Sequence, residues 1–169
     1  TETTIVATMS EPLTPGTPVT IGTPIEQCTA LVLDHRCAPV PDHVPGELYL
    51  AGPGLARGYL NRTALTATRF VASPLGDGTL MYRTGDIVTR TARGTLIYHG
   101  RRDNQVKVRG FRIELDEVSG ALRTHPRVDG ALTLVHGSGA SATLISYVTL
   151  DDAEPDETTT LPTAAELRT

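Results

Sequence analysis

Lysine is almost missing from this sequence: of its 15 basic residues, every one but Lys107 is arginine. Chemistry that needs a lysine anywhere else is excluded. Tryptophan is absent and aromatics make up only 4% of 169 residues, too few for a row of base-stacking platforms. The formal net charge of −4 and a pI near 5.7 supply no general attraction to phosphate backbones or anionic lipid. Neither a nucleic acid nor a membrane is therefore expected as a partner. Long apolar runs are also lacking. Stretches such as Ala30-Leu31-Val32-Leu33 stop after four or five residues, where a membrane span needs about twenty, so no transmembrane or signal segment is expected. The two cysteines, Cys28 and Cys37, form no CxxC pair and are too few for a disulfide framework, which fits a cytoplasmic, reducing location. The histidines His35, His43, His99, His125 and His136 show neither HExxH nor i,i+4 spacing, so no histidine metal site is expected.

What is present is enough for a folded core, with 39% hydrophobic and 20% charged residues. The length fits one ordinary domain or two small ones. The chain starts at Thr1 and ends in a helix-like run, Thr163 to Arg168, and is expected to be cut from something longer. Before that run, Asp151 to Thr160 reads as an acidic, threonine-rich linker.

Pro12, Pro15, Gly16, Pro18, Gly22 and Pro24 leave room only for short extended pieces near the N-terminus. Thr29 to Asp34 and Glu47 to Ala51 read as a pair of strands joined by a turn holding Pro39, Pro41 and Pro45. Asn61 to Phe70 suits two turns of helix, with Thr63 the expected N-cap. Met81 to Arg90 and Thr95 to His99 read as strands around an Arg93-Gly94 turn. Past Gly100 the pattern changes. Val106 to Ile113 alternates apolar and basic residues and bends at Gly110, as a half-buried hairpin does. Leu115, Val118 and Leu122 then form an apolar stripe, with Asp116 and Glu117 in the first turn where a helix dipole favours anions. Ala131 to Val135 and Ala142 to Leu150 read as a second hairpin joined by His136 to Ser141. The expected fold class is α+β. Strand and turn fill the chain before Gly100 to Asn104, strand and helix alternate after it, and a domain boundary is expected there.

Gly52-Pro-Gly54-Leu-Ala-Arg-Gly58 fails as a dinucleotide loop, because Arg57 stands where GxGxxG needs glycine and no Gly-Lys-Ser/Thr follows. Gly137-Ser138-Gly139 lacks the flanking glycine of a nucleophile elbow. Arg101, Arg102, Lys107, Arg109 and Arg112 form the one basic concentration, which alone could be a solvated strand face. Its neighbours change that reading. Tyr82-Arg83-Thr84-Gly85-Asp86 puts a carboxylate after a glycine, and Tyr98-His99-Gly100-Arg101 follows one strand later. A carboxylate can accept both hydroxyls of a ribose, and a guanidinium fork can hold phosphate oxygens.

These motifs, in this order, resemble the amino-acid-activating adenylation domain of nonribosomal peptide synthetases. That domain belongs to the adenylate-forming, AMP-binding family that includes acyl-CoA synthetases and luciferases. Thr1-Glu2-Thr3-Thr4 is similar to the end of the family's Gly-Pro-Thr-Glu motif, and Gly46 to Tyr59 to its glycine-rich structural motif. Tyr82 to Asp86 is similar to the ribose-binding motif, and Gly100 to Val118 to the hinge-and-hairpin motif. The resemblance implies ATP and AMP as nucleotide and Mg²⁺ as metal, with Thr1 at the α-phosphate and Glu2 holding the metal. It implies Asp86 on the ribose hydroxyls, Tyr98 beside the nucleotide, and Arg101 reaching ribose or phosphate in a catalytic role. It further implies that residues 1–102 are a distorted β-barrel portion of a large subdomain and residues 103–169 a small, incomplete α+β lid, with Asp103 as its hinge and Gly110 approaching the phosphopantetheine arm of a partner domain. An amino-acid substrate, a peptidyl carrier protein and an MbtH-like helper are the implied partners. The implied activity is that of an adenylate-forming ligase, converting ATP and an amino acid into aminoacyl-AMP and pyrophosphate before thioester formation. Lys107 does not match the family's catalytic lysine, and the phosphate loop and most of the amino-acid pocket have no counterpart here. The chain alone is therefore expected to be inactive. The competing expectation is a catalytically silent module that docks a carrier or MbtH-like protein.

Overall fold

The computed structural model describes residues 1–151 and Thr163. The linker and terminal helix expected from Asp151 to Arg168 otherwise lie outside the described residues. The chain divides into two compact units, Thr1–Arg102 and Asp103–Thr169.

In the first unit, β1 (Thr8–Met9) and β2 (Thr23–Pro24) form a short antiparallel pair. β3 (Thr29–Leu33) and β4 (Gly46–Ala51) pair antiparallel with Leu31 opposite Tyr49. Their connection is closed by Asp34, whose carboxylate accepts the N–H groups of Arg36 and Ala38, the turn chemistry that aspartate favours. After α1 (Thr63–Arg69) come β5 (Phe70–Ala72), the long β6 (Leu80–Arg90) and β7 (Leu96–Arg101). The sheet runs β3-β4-β6-β5, and β7 also pairs with β6. β6 thus has β4 along one edge, with β5 and then β7 along the other.

β4 is buried on both faces. Leu48 and Leu50 pack with Val32, Val88 and Leu96, while Tyr49 on the opposite face packs with Leu33 and Met81. The first cluster is covered by Ala7, Ile21 and Cys28, because the chain before β3 folds back over the sheet. That return is pinned at the outer edge of β7, where Ile21 N–H donates to the Leu96 carbonyl at 3.0 Å and Leu96 N–H to the Gly22 carbonyl at 2.7 Å. The sheet is curled into a half-barrel, an α+β arrangement with little helix. Neither cysteine is in a disulfide.

Thr63 is not the helix cap. Arg62 holds the non-helical cap conformation with no side-chain capping bond, and Thr63 is the first helical residue. The displacement comes from a turn over Tyr59 to Arg62, with Asn61 in left-handed conformation, which delivers the backbone into the helix one residue early.

In the second unit, β8 (Gln105–Val108) and β9 (Phe111–Glu114) form a hairpin closed by Arg109 and Gly110, at φ +50° and +87°. Consecutive positive φ values make the tight turn whose twist matches paired strands. α2 (Leu115–Leu122) follows, then β10 (Val128–His136) and β11 (Thr143–Leu150), paired antiparallel. His136 therefore belongs to the strand and not to the connecting loop, which is a single helical turn at Gly139–Ser141. The buried face of α2 includes Ser119 as well as Leu115. The Ser119 hydroxyl accepts the Thr133 N–H at 3.0 Å, so a polar side chain in the helix stripe is satisfied by the strand beneath it.

The fold-back generates a test. Gly22 and Gly76 both have positive φ, +76° and +72°, but a Cβ on Gly22 would lie 1.8 Å from the Met9 carbonyl oxygen, whereas nothing lies within 4 Å at Gly76. Gly76→Ala should cost only the left-handed strain of about 1–2 kcal/mol. Gly22→Ala should cost about 3 kcal/mol or more, because backbone must move. Urea midpoints followed by circular dichroism measure both, and equal losses would contradict the close approach.

Candidate functional site

The centre of the site is an irregularity in β6. Glu47 pairs with Ile87 and Tyr49 with Arg83, so Leu48 alone faces Thr84, Gly85 and Asp86. The extra residues bulge, and Gly85 takes φ +81° to allow it. The Thr84 side chain satisfies the groups this disrupts. Its hydroxyl donates to the Leu48 carbonyl at 2.8 Å and accepts the Asp86 N–H at 3.0 Å.

Directly across from Asp86 in the ladder stands Arg101. Its Nη1 donates to Asp86 Oδ1 at 2.9 Å and its Nη2 to the Thr84 carbonyl at 3.0 Å. Arg102 N–H closes the bulge from the same side by donating to the Gly85 carbonyl at 2.8 Å. The two residues named from sequence as ribose and phosphate contacts thus form a partly exposed ion pair with each other. Tyr98, half-exposed, lies on the same strand opposite Val88. Next to it, His99 Nε2 lies 2.9 Å from the Thr89 hydroxyl.

Behind this pair is a charge that the sequence reading passed over. Glu47 lies on the doubly buried strand β4 and is 3% exposed. Arg83, diagonal to it across the ladder, donates Nε to Oε1 at 2.8 Å and Nη2 to Oε2 at 3.0 Å. Arg102 adds Nη1 to Oε2 at 2.9 Å. Burial pushes the Glu47 carboxyl up, but the hydrogen bonds from Arg83 and Arg102 outweigh it and hold the group below its usual range. Arg83 is raised in return by its hydrogen bond to Glu47. No local signal announced this: only the burial of β4 on both faces denies the Glu47 carboxylate a route to water and obliges it to recruit cations.

Thr1 and Glu2 sit elsewhere in the same unit, wrapped by the glycine-rich motif. Ala56 N–H donates to the Glu2 carbonyl at 2.8 Å, and the Thr4 hydroxyl donates to the Gly54 carbonyl at 2.8 Å. Tyr59 Oη donates to Glu2 Oε1 at 2.8 Å. Burial, with hydrogen bonds to Tyr82 and Glu2, raises the Tyr59 phenol far above its ordinary range. Its ring meets Phe70 edge-on at 5.5 Å, and Phe70 packs on Tyr82 at 5.4 Å. An aromatic relay therefore joins Glu2 to the strand that carries Asp86. Asp103 and Gly110 belong to the second unit. Asp103 Oδ1 accepts the Gln105 N–H at 3.4 Å, and Gly110 sits at the hairpin tip with open space around it.

Residues 1–60 match the family model described as AMP-binding enzyme. The chain is 47% identical to novobiocin biosynthesis protein H of Streptomyces niveus over 170 residues, which is 99% of this chain and 27% of that protein. It is 54% identical to a dimodular nonribosomal peptide synthase of Bacillus subtilis over 116 residues, which is 68% of this chain and 5% of that protein. Among solved structures, that of IdnL1 superposes with TM-score 0.72 at 34% identity, covering 86% of this chain and 30% of that one. An artificially fused adenylation–PCP di-domain from Klebsiella oxytoca superposes with TM-score 0.61 at 30% identity, over 92% of this chain and 27% of that one. The chain spans less than a third of the length of each.

The buried triad predicts both a size and a pH dependence. Removing one partner of a buried ion pair leaves the others uncompensated, so Glu47→Gln should cost about 3–5 kcal/mol at neutral pH. Since the folded carboxyl titrates below its unfolded value, its contribution is present above about pH 4.3 and is lost as pH falls through the folded value. Urea unfolding across the acid range should therefore show a shallower pH dependence in Glu47→Gln than in the parent chain. Identical acid limbs would show that Glu47 is not held below its ordinary range.

Proposed function

This chain belongs to the AMP-binding family of adenylate-forming ligases, and from that premise we propose that it supplies the ribose side of the nucleotide site in an amino-acid-activating adenylation domain. Residues 1–102 would be the C-terminal part of the large AMP-binding subdomain, and residues 103–169 part of its lid. The observation that carries the reading is the β6 bulge, which aims Asp86 and Arg101 at each other on a partly exposed strand pair. A carboxylate so placed can accept both ribose hydroxyls, and the guanidinium beside it neutralises the charge gathered there. Arg101 would then reach ribose or phosphate, with Tyr98 alongside the nucleotide and Thr1 at the α-phosphate.

Glu2, whose carboxylate is held at Oε1 by the Tyr59 phenol, would be the residue that holds a magnesium ion. Among the described residues no group of three or more His, Cys, Asp or Glu side chains could cage a metal. A single carboxylate completed by nucleotide phosphates is the way Mg²⁺ is commonly held, and there it supplies charge neutralisation of the phosphate oxygens. In the reaction we propose, a carboxylate oxygen of the amino acid attacks the α-phosphorus of ATP, aminoacyl-AMP forms and pyrophosphate leaves. The acyl group then passes to the phosphopantetheine thiol of a carrier protein, releasing AMP. Asp103, the first residue of the second unit, would be the hinge between the two half-reactions, and Gly110 would lie toward the pantetheine arm. Adenylation–PCP di-domains among the structural relatives support a carrier protein as the partner. Lys107, the only lysine, sits in β8 of the hairpin. The chain by itself is expected to give no amino-acid-dependent ATP–pyrophosphate exchange above a no-enzyme control.

In the full-length protein carrying this chain, Asp86→Ala should raise the apparent ATP KM more than about tenfold, since hydrogen bonds to a charged group are worth about 1.5–3 kcal/mol each. The amino-acid KM should move less. Pyrophosphate exchange measures both, and an unchanged ATP dependence in a folded variant would remove Asp86 from the ribose.

A further inference from the structure

Glu2 is oriented by Tyr59, a residue of the glycine-rich motif far from it in sequence. The phenol reaches Glu2 Oε1 at 2.8 Å from a ring that cannot easily turn away. Its backbone N–H donates to Thr66 Oγ1 at 2.9 Å, and its edge packs against Phe70. The preceding Gly58, at φ +139°, lets α1 approach so closely that a Cβ there would lie 2.5 Å from Thr66 Cγ2. The backbone bond to Thr66, the Phe70 ring and a hydrogen bond with Tyr82 fix the phenol, and the phenol holds Glu2 Oε1 while the Thr1 ammonium lies 3.5 Å from Oε2. A glutamate side chain otherwise loses its rotamer freedom at the moment a ligand binds.

We infer that Tyr59 is a positioning residue for magnesium binding: its hydrogen bond holds the Glu2 carboxylate in the orientation used for the metal of the bound nucleotide. This inference rests on the reading of Glu2 as the magnesium ligand. Groups that hydrogen-bond a metal-ligating side chain commonly change metal affinity about 10–100-fold when removed. Tyr59→Phe deletes only the hydroxyl and keeps the ring on Phe70.

The test uses the full-length protein with Mn²⁺ as a paramagnetic probe and α,β-methylene-ATP as a nucleotide that cannot transfer its adenylyl group. Free Mn²⁺ is read by electron paramagnetic resonance for the parent, Tyr59→Phe, Glu2→Gln and the double variant. Circular dichroism at the same temperature establishes that each is folded. Tyr59→Phe is expected to weaken Mn²⁺ binding about tenfold, and the double variant to bind no more weakly than Glu2→Gln alone. The Mg²⁺ requirement for pyrophosphate exchange should rise in parallel, with the rate restored at saturating Mg²⁺, a rescue that a purely structural defect would not give. If Tyr59→Phe lowers the folded fraction, Thr66→Val is measured in its place, since it removes the acceptor of the Tyr59 N–H and leaves Glu2 and the phenol intact; weaker Mn²⁺ binding is expected, and parental affinity would overturn the inference. Parental Mn²⁺ affinity in Tyr59→Phe beside a weakened Glu2→Gln would overturn the inference alone. Parental affinity in Glu2→Gln would overturn the reading of Glu2 itself.

Discussion

A carboxylate on a strand buried from both sides is the constraint on which the rest of the first unit depends. Glu47 cannot reach water, so its charge has to be met inside the protein, and the two arginines that meet it come from β6 and from the end of β7. Such a triad adds little net stability against apolar residues of the same size, because desolvation offsets most of the attraction. Its consequence is positional. Arg83 immediately precedes the β6 bulge and Arg102 immediately follows Arg101, so the Asp86–Arg101 pair is bracketed by residues tied to one buried anion. A slip of β6 or β7 by one residue would strand a charge in the core.

The glycine-rich segment is tied into the same frame. As a phosphate loop it fails on its spacing, and the structure shows it instead wrapping the first residues of the chain through backbone hydrogen bonds at Glu2 and Thr4. Tyr59, Phe70 and Tyr82 then carry that contact to β6 through packed rings. Two segments that look unrelated in sequence are in this way held against one strand, and three of the chain's seven aromatics stand where they join.

A short apolar run bounded by turn residues made β3 legible, and alternation of apolar and basic residues did the same for the β8–β9 hairpin around Gly110. Asp86 and Arg101 could be named because an aspartate after a strand glycine and an arginine one strand later are unusual enough to notice. That they face each other depends on the ladder register, which a bulge shifts and no local pattern announces. Glu47 escaped for a related reason: period-2 patterning does not distinguish a strand covered on one face from one covered on both. Thr63 lies inside the helix and not at its cap because Asn61, a residue type that tolerates left-handed backbone, closes a local turn from Tyr59 that starts the helix one residue early. Ser119 was left out of the helix stripe because its partner, Thr133, lies on a strand that sequence alone does not bring to it.

Asp86, set by the bulge and paired with Arg101, is proposed to receive the ribose of a bound nucleotide. Binding of ATP, 2′-deoxy-ATP and 3′-deoxy-ATP to the full-length protein and to its Asp86→Asn variant, measured by calorimetry, tests it through a cycle in which ligand and residue are altered separately. The parent protein should lose about tenfold or more in affinity for each deoxy nucleotide, and Asp86→Asn should discriminate far less among the three. Equal affinity of the parent for all three, or undiminished discrimination in the variant, would contradict the assignment of Asp86 to the ribose.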